Sequence, residues 1–423
     1  MKYFLFFFIF LVFSYITYLF IPNRYFQLCP PVCRQYNGIY ADQTEINFEN
    51  YDLFESNFYK ANLEFSNFNY ANVSFSNFVK AKLDNAQFYN ANLRGANFSK
   101  SSLRSANLTI ADLRGSRLNE ADLTSVNLSG ANLVGANLAL AKLHNSIIDN
   151  KTKLDAKWYL AWKVINDKEF FQNDISDFDL SFTNLSDIDF SNYNLTNTNL
   201  SGSILSGVNF TDCQMDFVNF TDSLIDQKTK LRKKELLIHK LKNSINSSLN
   251  LSKINLANSN LENIFLKYTN LKYSNLSNSK FIFSDLSHSD FREANLQQTD
   301  FTEANLYQSN LGNADLRGAV LRGADLRLVN FFRTLIDNKT ILSGNSFNCH
   351  KIYNENSKLI IKDLNLRWCF LRNIQLRDRI ISNVDFSYSD LNHADFSGSV
   401  IINSNFENSR IDNTSFRHTI FQK

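Results

Sequence analysis

The chain has 423 residues and a formal net charge of +3, and it contains 39 Phe but only 12 Gly and 3 Pro. A charge so close to neutral gives no overall field that would attract nucleic acid. So few turn-forming residues beside so much Phe exclude an ordinary mixture of helices, strands and loops, and they favour one repeated unit.

The N-terminal segment is strongly apolar. Residues 3–21 contain no charged side chain, and as a helix they would extend roughly 28 Å, close to the thickness of a bilayer's hydrocarbon core. We therefore predict a single-pass transmembrane anchor within residues 1–22. A cleaved signal sequence, which would release an exported lumenal or periplasmic protein, is the alternative, although no small-residue cleavage site precedes Pro22 or Cys29. The few flanking charges leave the side of the membrane that holds the rest of the chain undetermined.

The five Cys are an odd number and do not indicate a disulfide framework. Residues 23–45 are predicted to be a linker, in which Cys29 and Cys33 could form a local disulfide in an oxidising compartment. Cys213 and Cys369 lie where the repeats described below place a small inward-facing side chain, and Cys349 has no evident role.

From residue 46 onward, a large apolar side chain recurs at every fifth position, which we term the centre of each repeat. Four runs of centres extend from Phe48 to Ile148, from Ile175 to Ile225, from Leu251 to Ile336 and from Ile361 to Phe421. Helices repeat near 3.6 residues and strands near 2, so neither produces this period. A small residue, most often Ala, lies two positions before the centre, and the other positions are polar. The backbone must therefore turn a corner every five residues, with one large and one small side chain facing inward.

These repeats resemble the pentapeptide-repeat family, whose motif is approximately Ala-(Asp/Asn)-Leu-x-x. Matching segments include ADLTSVNLSGANLVGANLAL and EANLYQSNLGNADLRGAVLRGADLR. The resemblance implies an all-β solenoid, namely a right-handed quadrilateral β-helix with four pentapeptides per coil. Residues twenty positions apart would then stack in columns, with Leu and Phe inside. The predicted solenoid blocks are residues 46–148, 175–226, 251–336 and 361–423.

Three inserts interrupt the solenoid, and each opens with Ile-Asp-x-Lys-Thr. They occupy residues 149–174, 227–250 and 337–360. Their similar length and opening indicate one module that was copied together with its block. An apolar stripe predicts a helix in the first two inserts, whereas the third has no such stripe. The inserts could pack on the solenoid, cap a block, or bind a partner.

The first insert contains KWYLAWKVIN, which resembles helical interruptions in cyanobacterial and plastid pentapeptide-repeat proteins. Trp158, Trp162 and Ile165 would share one face of this helix. Thr152 with Asp155 has the spacing of a capping box at its start. Trp158 and Trp162 are candidate partner-binding residues, because exposed aromatic side chains often dominate protein interfaces. Packing of both rings against the solenoid is the alternative.

The second block is acidic, and the inserts on both sides of it are basic. In one interpretation, the basic helices fold back over the block and offset its charge. In another, the block is a DNA mimic, because some pentapeptide-repeat proteins occupy the DNA-binding groove of a type II topoisomerase; the resemblance then implies an inhibitor or protector of such an enzyme. The outward candidate residues are Asp177, Asp179, Asp187, Asp189, Asp212, Asp216 and Asp222.

No catalytic, cofactor or metal site is predicted. The His residues are scattered without metal-ligand spacing, no Gly-rich phosphate loop exists, and the carboxylates lie on an even outer surface without a cleft that would shift their pKa values. We therefore expect a non-enzymatic, membrane-anchored solenoid that is a scaffold or interaction surface for an unidentified protein. Neither nucleic acid nor a small-molecule substrate is expected as a ligand.

Overall fold

The computed structural model describes residues 32–167, 172–244, 246–344, 346–354 and 359–422. The predicted anchor at residues 3–21 and the predicted disulfide partner Cys29 lie outside the described residues. Among the residues that are described, no helix has both the length and the apolar character needed to cross a membrane. The anchor therefore stays a prediction from the sequence.

The five-residue period is a succession of tight turns. In each turn the carbonyl of the centre accepts a hydrogen bond from the N–H three residues later, as Phe58 does from Ala61 at 3.0 Å. The residue two positions after the centre has a positive φ, for example 56° at Lys60. A positive φ at this position defines a type II turn. We term this residue the corner residue, since one such turn separates each face from the next.

Successive coils are joined by short parallel ladders with an offset of twenty residues. Asp52 is bridged to Asn72. Beside this bridge, the N–H of Leu53 donates to the carbonyl of Asn72 at 2.7 Å, and the N–H of Asn72 donates to the carbonyl of Tyr51 at 2.8 Å. Four turns therefore complete one coil, which confirms the predicted β-helix solenoid of pentapeptide repeats.

The inward side chains form continuous columns. Phe58, Phe78 and Phe98 are fully buried and stack with ring centroids 4.9 and 4.8 Å apart. Burial of one such side chain contributes about 1.5–3 kcal/mol. The small residue two positions before a centre is also buried. At this position the Ser76 hydroxyl is bonded to the carbonyl of Leu53 at 2.9 Å, whereas the Ser116 and Ser309 hydroxyls have no hydrogen-bond partner in the described part of the chain. Both inward positions are therefore filled by packing.

The Asn that precedes many centres stabilises the stacking of coils, a role that the sequence did not reveal. Asn72 Oδ1 accepts from the N–H of Ser74 at 3.3 Å within its own turn. Its Nδ2 donates to Asp52 Oδ1 at 2.8 Å, and Asn92 Nδ2 donates to Asn72 Oδ1 at 2.9 Å. Side-chain amide ladders of this kind add to the backbone ladders of a stacked β-structure.

Regular elements longer than a single bridge occur in the inserts, in the first coil of the third block and on one face of the fourth block. The helices are α1 (Ala156–Asn166), α2 (Lys233–Lys242) and α3 (Ser346–Asn354). The strands are β1 (Asn246–Ser247), β2 (Leu266–Lys267), β3 (Ile360–Lys362), β4 (Ile380–Ser382), β5 (Val400–Ile402) and β6 (Ile420–Gln422). β1 pairs with β2, and β3 to β6 form one parallel sheet in sequence order.

The solenoid begins before the predicted start. The sequence predicts a linker at residues 23–45, but Val32, Asn37 and Asp42 are already bridged to the residues twenty positions later. The centres in this first coil include Gln43, which is buried although it is polar. The apolar period that defines the other blocks is therefore absent here, while the backbone turns continue.

Candidate functional site

The Ile-Asp-x-Lys-Thr segments form the same hydrogen-bonded cap at the end of three blocks. Asp149 Oδ1 accepts from the N–H of Gly130 and from the N–H of Thr152, both at 2.9 Å. Thr152 Oγ1 donates to the carbonyl of Leu128 at 3.0 Å. The motif therefore ties the chain to the last coil just before it leaves the solenoid. The equivalent pairs are Asp226 with Thr229 and Asp337 with Thr340, whose carboxylates accept from Gly207 and Gly318 at 2.9 Å.

These caps favour the ionised form of their carboxylates. The hydrogen bond from a glycine N–H is the largest cause, and it lowers the pKa of Asp149, Asp226 and Asp337 below the ordinary value. Burial is the second-largest cause and raises the pKa, whereas the Thr hydroxyl and two further backbone N–H groups again lower it. Each cap is therefore formed by a charged acceptor.

Each insert helix lies between the end of one block and the beginning of the next. In α1, Trp162 Nε1 donates to the carbonyl of Ser146 at 2.9 Å, and Asn166 Nδ2 donates to the carbonyl of Leu143 at 3.0 Å. The other two helices are held by equivalent bonds. The His239 ring is bonded to the carbonyl of Ser223, and the His350 ring to the carbonyl of Thr334, both at 2.9 Å. The third insert thus contains the same module, although its sequence lacks an apolar stripe.

The candidate residues Trp158 and Trp162 are half-buried and pack against the solenoid core. Lys157 Nζ lies 5.3 Å from the Trp158 ring centroid. The predicted capping box is wrong, because α1 begins at Ala156 with Asp155 as an N-cap that makes no side-chain capping bond. The hydroxyl of Thr152 is instead bonded to the last coil of the first block.

The candidate acids of the second block are distributed over all four faces. All are exposed except Asp216, which is half-buried. Asp177 and Asp179 are stacked against amides rather than against other acids, because Asn197 Nδ2 and Asn199 Nδ2 donate to them at 3.0 Å. Lys157 of α1 contacts Asp179 at 3.1 Å, so a basic insert does offset part of the acidic charge. With the twenty-residue period, the faces hold Asp177 with Asp216, Asp179 with Asp222, Asp187 alone, and Asp189 with Asp212.

Cys349 of α3 and Cys369 of the fourth block form a disulfide, with Cα atoms 5.5 Å apart. The sequence indicated no partner for either residue, because only the fold of the third insert brings them together. Cys213 is a buried free thiol, and burial is the main cause that raises its pKa to about 11. Cys33 is buried in the first coil, and its pairing with Cys29 stays a prediction because Cys29 lies outside the described residues.

Among the described residues, a single backbone hydrogen bond at each junction joins one block directly to the next. The N–H of Leu140 donates to the carbonyl of Phe182 at 2.6 Å. At the other two junctions, the N–H of Phe217 donates to the carbonyl of Asn258 at 3.0 Å, and the N–H of Leu328 donates to the carbonyl of Trp368 at 2.7 Å. All six residues in these bonds are corner residues, so the sequences of the three junctions can be aligned on them.

This correspondence shows what the disulfide replaces. The residue before Trp162 is Ala161, and the residue before His350 is Cys349; the residue after Phe182 is Thr183, and the residue after Trp368 is Cys369. At the first junction these equivalent positions hold a buried Ala and a buried Thr, whereas at the third junction they are joined by a covalent bond. At the second junction the corresponding buried residues are Ile238 and Ser259.

Cavities lie beside two of the junction bonds. The ladder through Asn310 and Asn330 has no bridge from Asn330 to Phe370 among the described residues, and a cavity of ≈ 440 Å³ opens there. The residues that line it are Tyr268, His288, Gln308, Ser309, Asn310, Leu328, Asn330, Phe370, Arg372 and Asp390. A cavity of ≈ 460 Å³ at the second junction is lined by Asp216, Phe217, Asn258, Asn278, Ser279, Lys280, Gln298, Asp300 and Val320.

An aromatic column crosses the third junction beside its cavity. Tyr268 stacks on His288, with ring centroids 4.6 Å apart. Arg327 lies 5.4 Å from the Tyr307 ring and 5.6 Å from the Trp368 ring, so its guanidinium connects aromatic rings of two blocks. This column and the cavity depend on residues from several coils and from both blocks, and no local sequence signal identifies them.

Sequence profiles of known families match most of the solenoid. The profile described as pentapeptide repeat region matches residues 41–118. The profile described as pentapeptide repeats (8 copies) matches residues 106–145, 176–212, 250–282, 269–306, 299–335 and 380–419. A comparison with curated proteins gives no match.

Solved structures of pentapeptide-repeat proteins are also similar. HetL from the cyanobacterium Nostoc, involved in heterocyst differentiation regulation, is 20% identical over 70% of this chain and 89% of its own, with a TM-score of 0.20. Rfr23 from the cyanobacterium Cyanothece is 26% identical over 30% of this chain and 92% of its own, with a TM-score of 0.17. QnrB1, a plasmid-mediated fluoroquinolone resistance protein, is 15% identical over 73% of this chain and 92% of its own, with a TM-score of 0.21.

Proposed function

Because this chain belongs to the pentapeptide-repeat family, we propose that it is a membrane-anchored scaffold without catalytic activity, whose solenoid presents outward side chains to a protein partner. The observation that carries the proposal is the contrast between filled inward positions and exposed aromatic corner residues. Phe75, Phe182 and Phe283 are 57%, 51% and 64% exposed. Large aromatic side chains are frequent anchors of protein interfaces, and here a positive φ holds each of them at a turn.

We place the solenoid on the oxidising side of the membrane, in a periplasm, in a lumen or outside the cell. The disulfide between Cys349 and Cys369 supports this placement, because disulfides persist in oxidising compartments and are rare in the cytosol. Residues 3–21, which lie outside the described residues, would supply the tether. If they are cleaved instead, the same solenoid would be released on the same side.

The distribution of the acids does not favour a DNA mimic. Duplex DNA has about one charge per 1.7 Å along its axis, so a mimic needs carboxylates in rows that face one partner. In the second block, the carboxylates of Asp177 and Asp187 lie on different faces, and amides stack on Asp177 and Asp179. Topoisomerase inhibition is therefore an outcome to be tested against the scaffold, not the preferred function.

The placement is tested by C-terminal reporter fusions to the full chain. Alkaline phosphatase is active only after export, and a fluorescent protein that folds only in the cytoplasm is its counterpart. We expect phosphatase activity alone, together with protease sensitivity of the solenoid in intact cells or vesicles. Activity of the cytoplasmic reporter alone would contradict the placement and would return the topoisomerase hypothesis to consideration.

The scaffold is tested by photo-crosslinking in the source cells. A benzoylphenylalanine side chain would replace Phe75, Phe182 or Phe283 in turn, with Lys80 as an exposed polar corner residue for the control. We expect a discrete adduct of higher mass from at least one aromatic position and none from position 80. The absence of an adduct at all three aromatic positions, or the same adduct at position 80, would contradict the proposal.

A further inference from the structure

The cavity at the third junction contains polar groups that the rest of the protein does not use. The Tyr268 hydroxyl, the His288 ring nitrogens and the Gln308 side-chain amide make no hydrogen bond to any other described residue. Tyr268 is 53% exposed, and His288 and Gln308 are half-buried, so a ligand that enters the cavity can reach all three side chains. Donors and acceptors that converge on a cavity in this way can fix the orientation of a bound molecule.

Each of these groups can both donate and accept a hydrogen bond. This is true of a Tyr hydroxyl, of a carboxamide and of a neutral imidazole. Burial, followed by the nearby Lys267, lowers the pKa of His288, which favours the neutral ring. A ligand hydroxyl has the same dual character, so a ligand with several hydroxyls is complementary to this side of the cavity.

The charges on the other side of the cavity offset each other. Arg372 Nε lies 3.6 Å from Asp390 Oδ2, and Asp390 is buried. These two are the only charged residues that line the cavity in the described part of the chain, so its net charge is zero and an ionic ligand is not favoured. The cavity at the second junction differs, because Lys280, Asp216 and Asp300 line it.

We propose that the cavity at the third junction binds a neutral saccharide of one or two sugar units. Its volume of ≈ 440 Å³ lies within the range of small-ligand sites, about 300–1,000 Å³. The side chains of Tyr268, His288 and Gln308 would bind sugar hydroxyls, and the rings of Tyr268 and Phe370 would provide apolar surface for the sugar C–H groups. This inference is independent of the proposed scaffold function and of the side of the membrane.

The test is saturation-transfer NMR, which detects binding of a disaccharide to the full chain in a detergent without a sugar head group. The probes are cellobiose, which presents only hydroxyls, and N,N′-diacetylchitobiose, which adds acetamido groups. The test variant combines His288→Phe, which keeps a ring stacked on Tyr268, with Gln308→Met. The matched control is Gln298→Met, which changes a corner residue in the second cavity. We expect transfer to at least one disaccharide, a loss of about tenfold in affinity in the double variant, and no change in the control.

Tyr268→Phe provides a second measurement, because it removes one exposed hydroxyl and leaves the ring and the coil in place. It is expected to weaken binding several-fold, as the loss of one hydrogen bond does. The proposal is overturned if neither disaccharide receives transfer from the unmodified chain. It is also overturned if the double variant and Tyr268→Phe both keep full transfer while their circular dichroism matches that of the unmodified chain.

Discussion

The disulfide between Cys349 and Cys369 should stabilise the third junction locally. The informative variant is Cys349→Ala with Cys369→Thr, because it reproduces the pair Ala161 and Thr183 that the first junction uses. The bond closes a loop with a sequence separation of 20 residues. In the chain-entropy description, a loop of this size contributes about 3 kcal/mol, which corresponds to a change on the order of 100-fold in the opening equilibrium of the module.

Hydrogen–deuterium exchange with mass spectrometry on the full chain resolves this effect by segment. Peptides that cover α3 should exchange on the order of 100-fold faster in the variant than in the oxidised chain. Peptides that cover α1 and α2 are controls within the same molecule, because those modules have the cap and the helix but no disulfide. Reduction of the unmodified chain should reproduce the change.

Two results would refute the reasoning. If α3 exchanges at the same rate with and without the disulfide, the cap and the helix packing are sufficient and the bond adds no stability. If α1 and α2 exchange faster to the same extent as α3, the blocks unfold together, and the treatment of each junction as a separate unit is wrong. Repeat proteins are stabilised mainly between neighbours, so we expect neither result.

Three further predictions concern the cap, the core and the corner. The lowered pKa of Asp226 means that its bond with Gly207 contributes stability above the ordinary carboxyl pKa near 4 and loses it as the pH falls through the lowered value; Asp226→Asn should therefore reduce the acid dependence of α2 exchange between about pH 5 and 2. Phe78→Ala should destabilise its coils by about 3–5 kcal/mol, whereas Lys80→Ala should stay within about 0.5 kcal/mol in urea denaturation. Gly115 has a φ of +64° and open space where a Cβ would lie, so Gly115→Asn should lower the thermal midpoint less than Gly115→Val does.

The solenoid could be predicted from the sequence because its signal is repeated and local. Centres such as Leu53 and Phe58 are fully buried, and the backbone turn around each of them follows a five-residue pattern that needs no long-range information. The first coil was missed where this signal weakens, since Gln43 fills a centre with a polar side chain. The helix α3 was missed for a related reason, because its buried positions include Cys349, and its polar residues hide the stripe that Trp158 and Trp162 make visible in α1.

The functional features were less predictable, because they depend on residues that only the junctions bring together. The repeated Ile-Asp-x-Lys-Thr could be recognised as an exit from the solenoid, but its contact with Gly130 spans a whole coil. His288 and Arg372 belong to different blocks, and no spacing in the sequence relates them. Trp162 could be identified as a notable residue, yet its hydrogen bond to Ser146 gives it a role in holding the helix in place.

The junctions also determine the surface that a partner would meet. A corner residue of one block is hydrogen-bonded directly to the next block, as Leu328 is to Trp368 at 2.7 Å. The insert helix lies at the same place, since Cys349 of α3 is bonded to Cys369, the residue after Trp368. A partner that binds across a junction would therefore contact side chains of two blocks and of one helix together, and a regular run of pentapeptides alone does not provide such a composite surface.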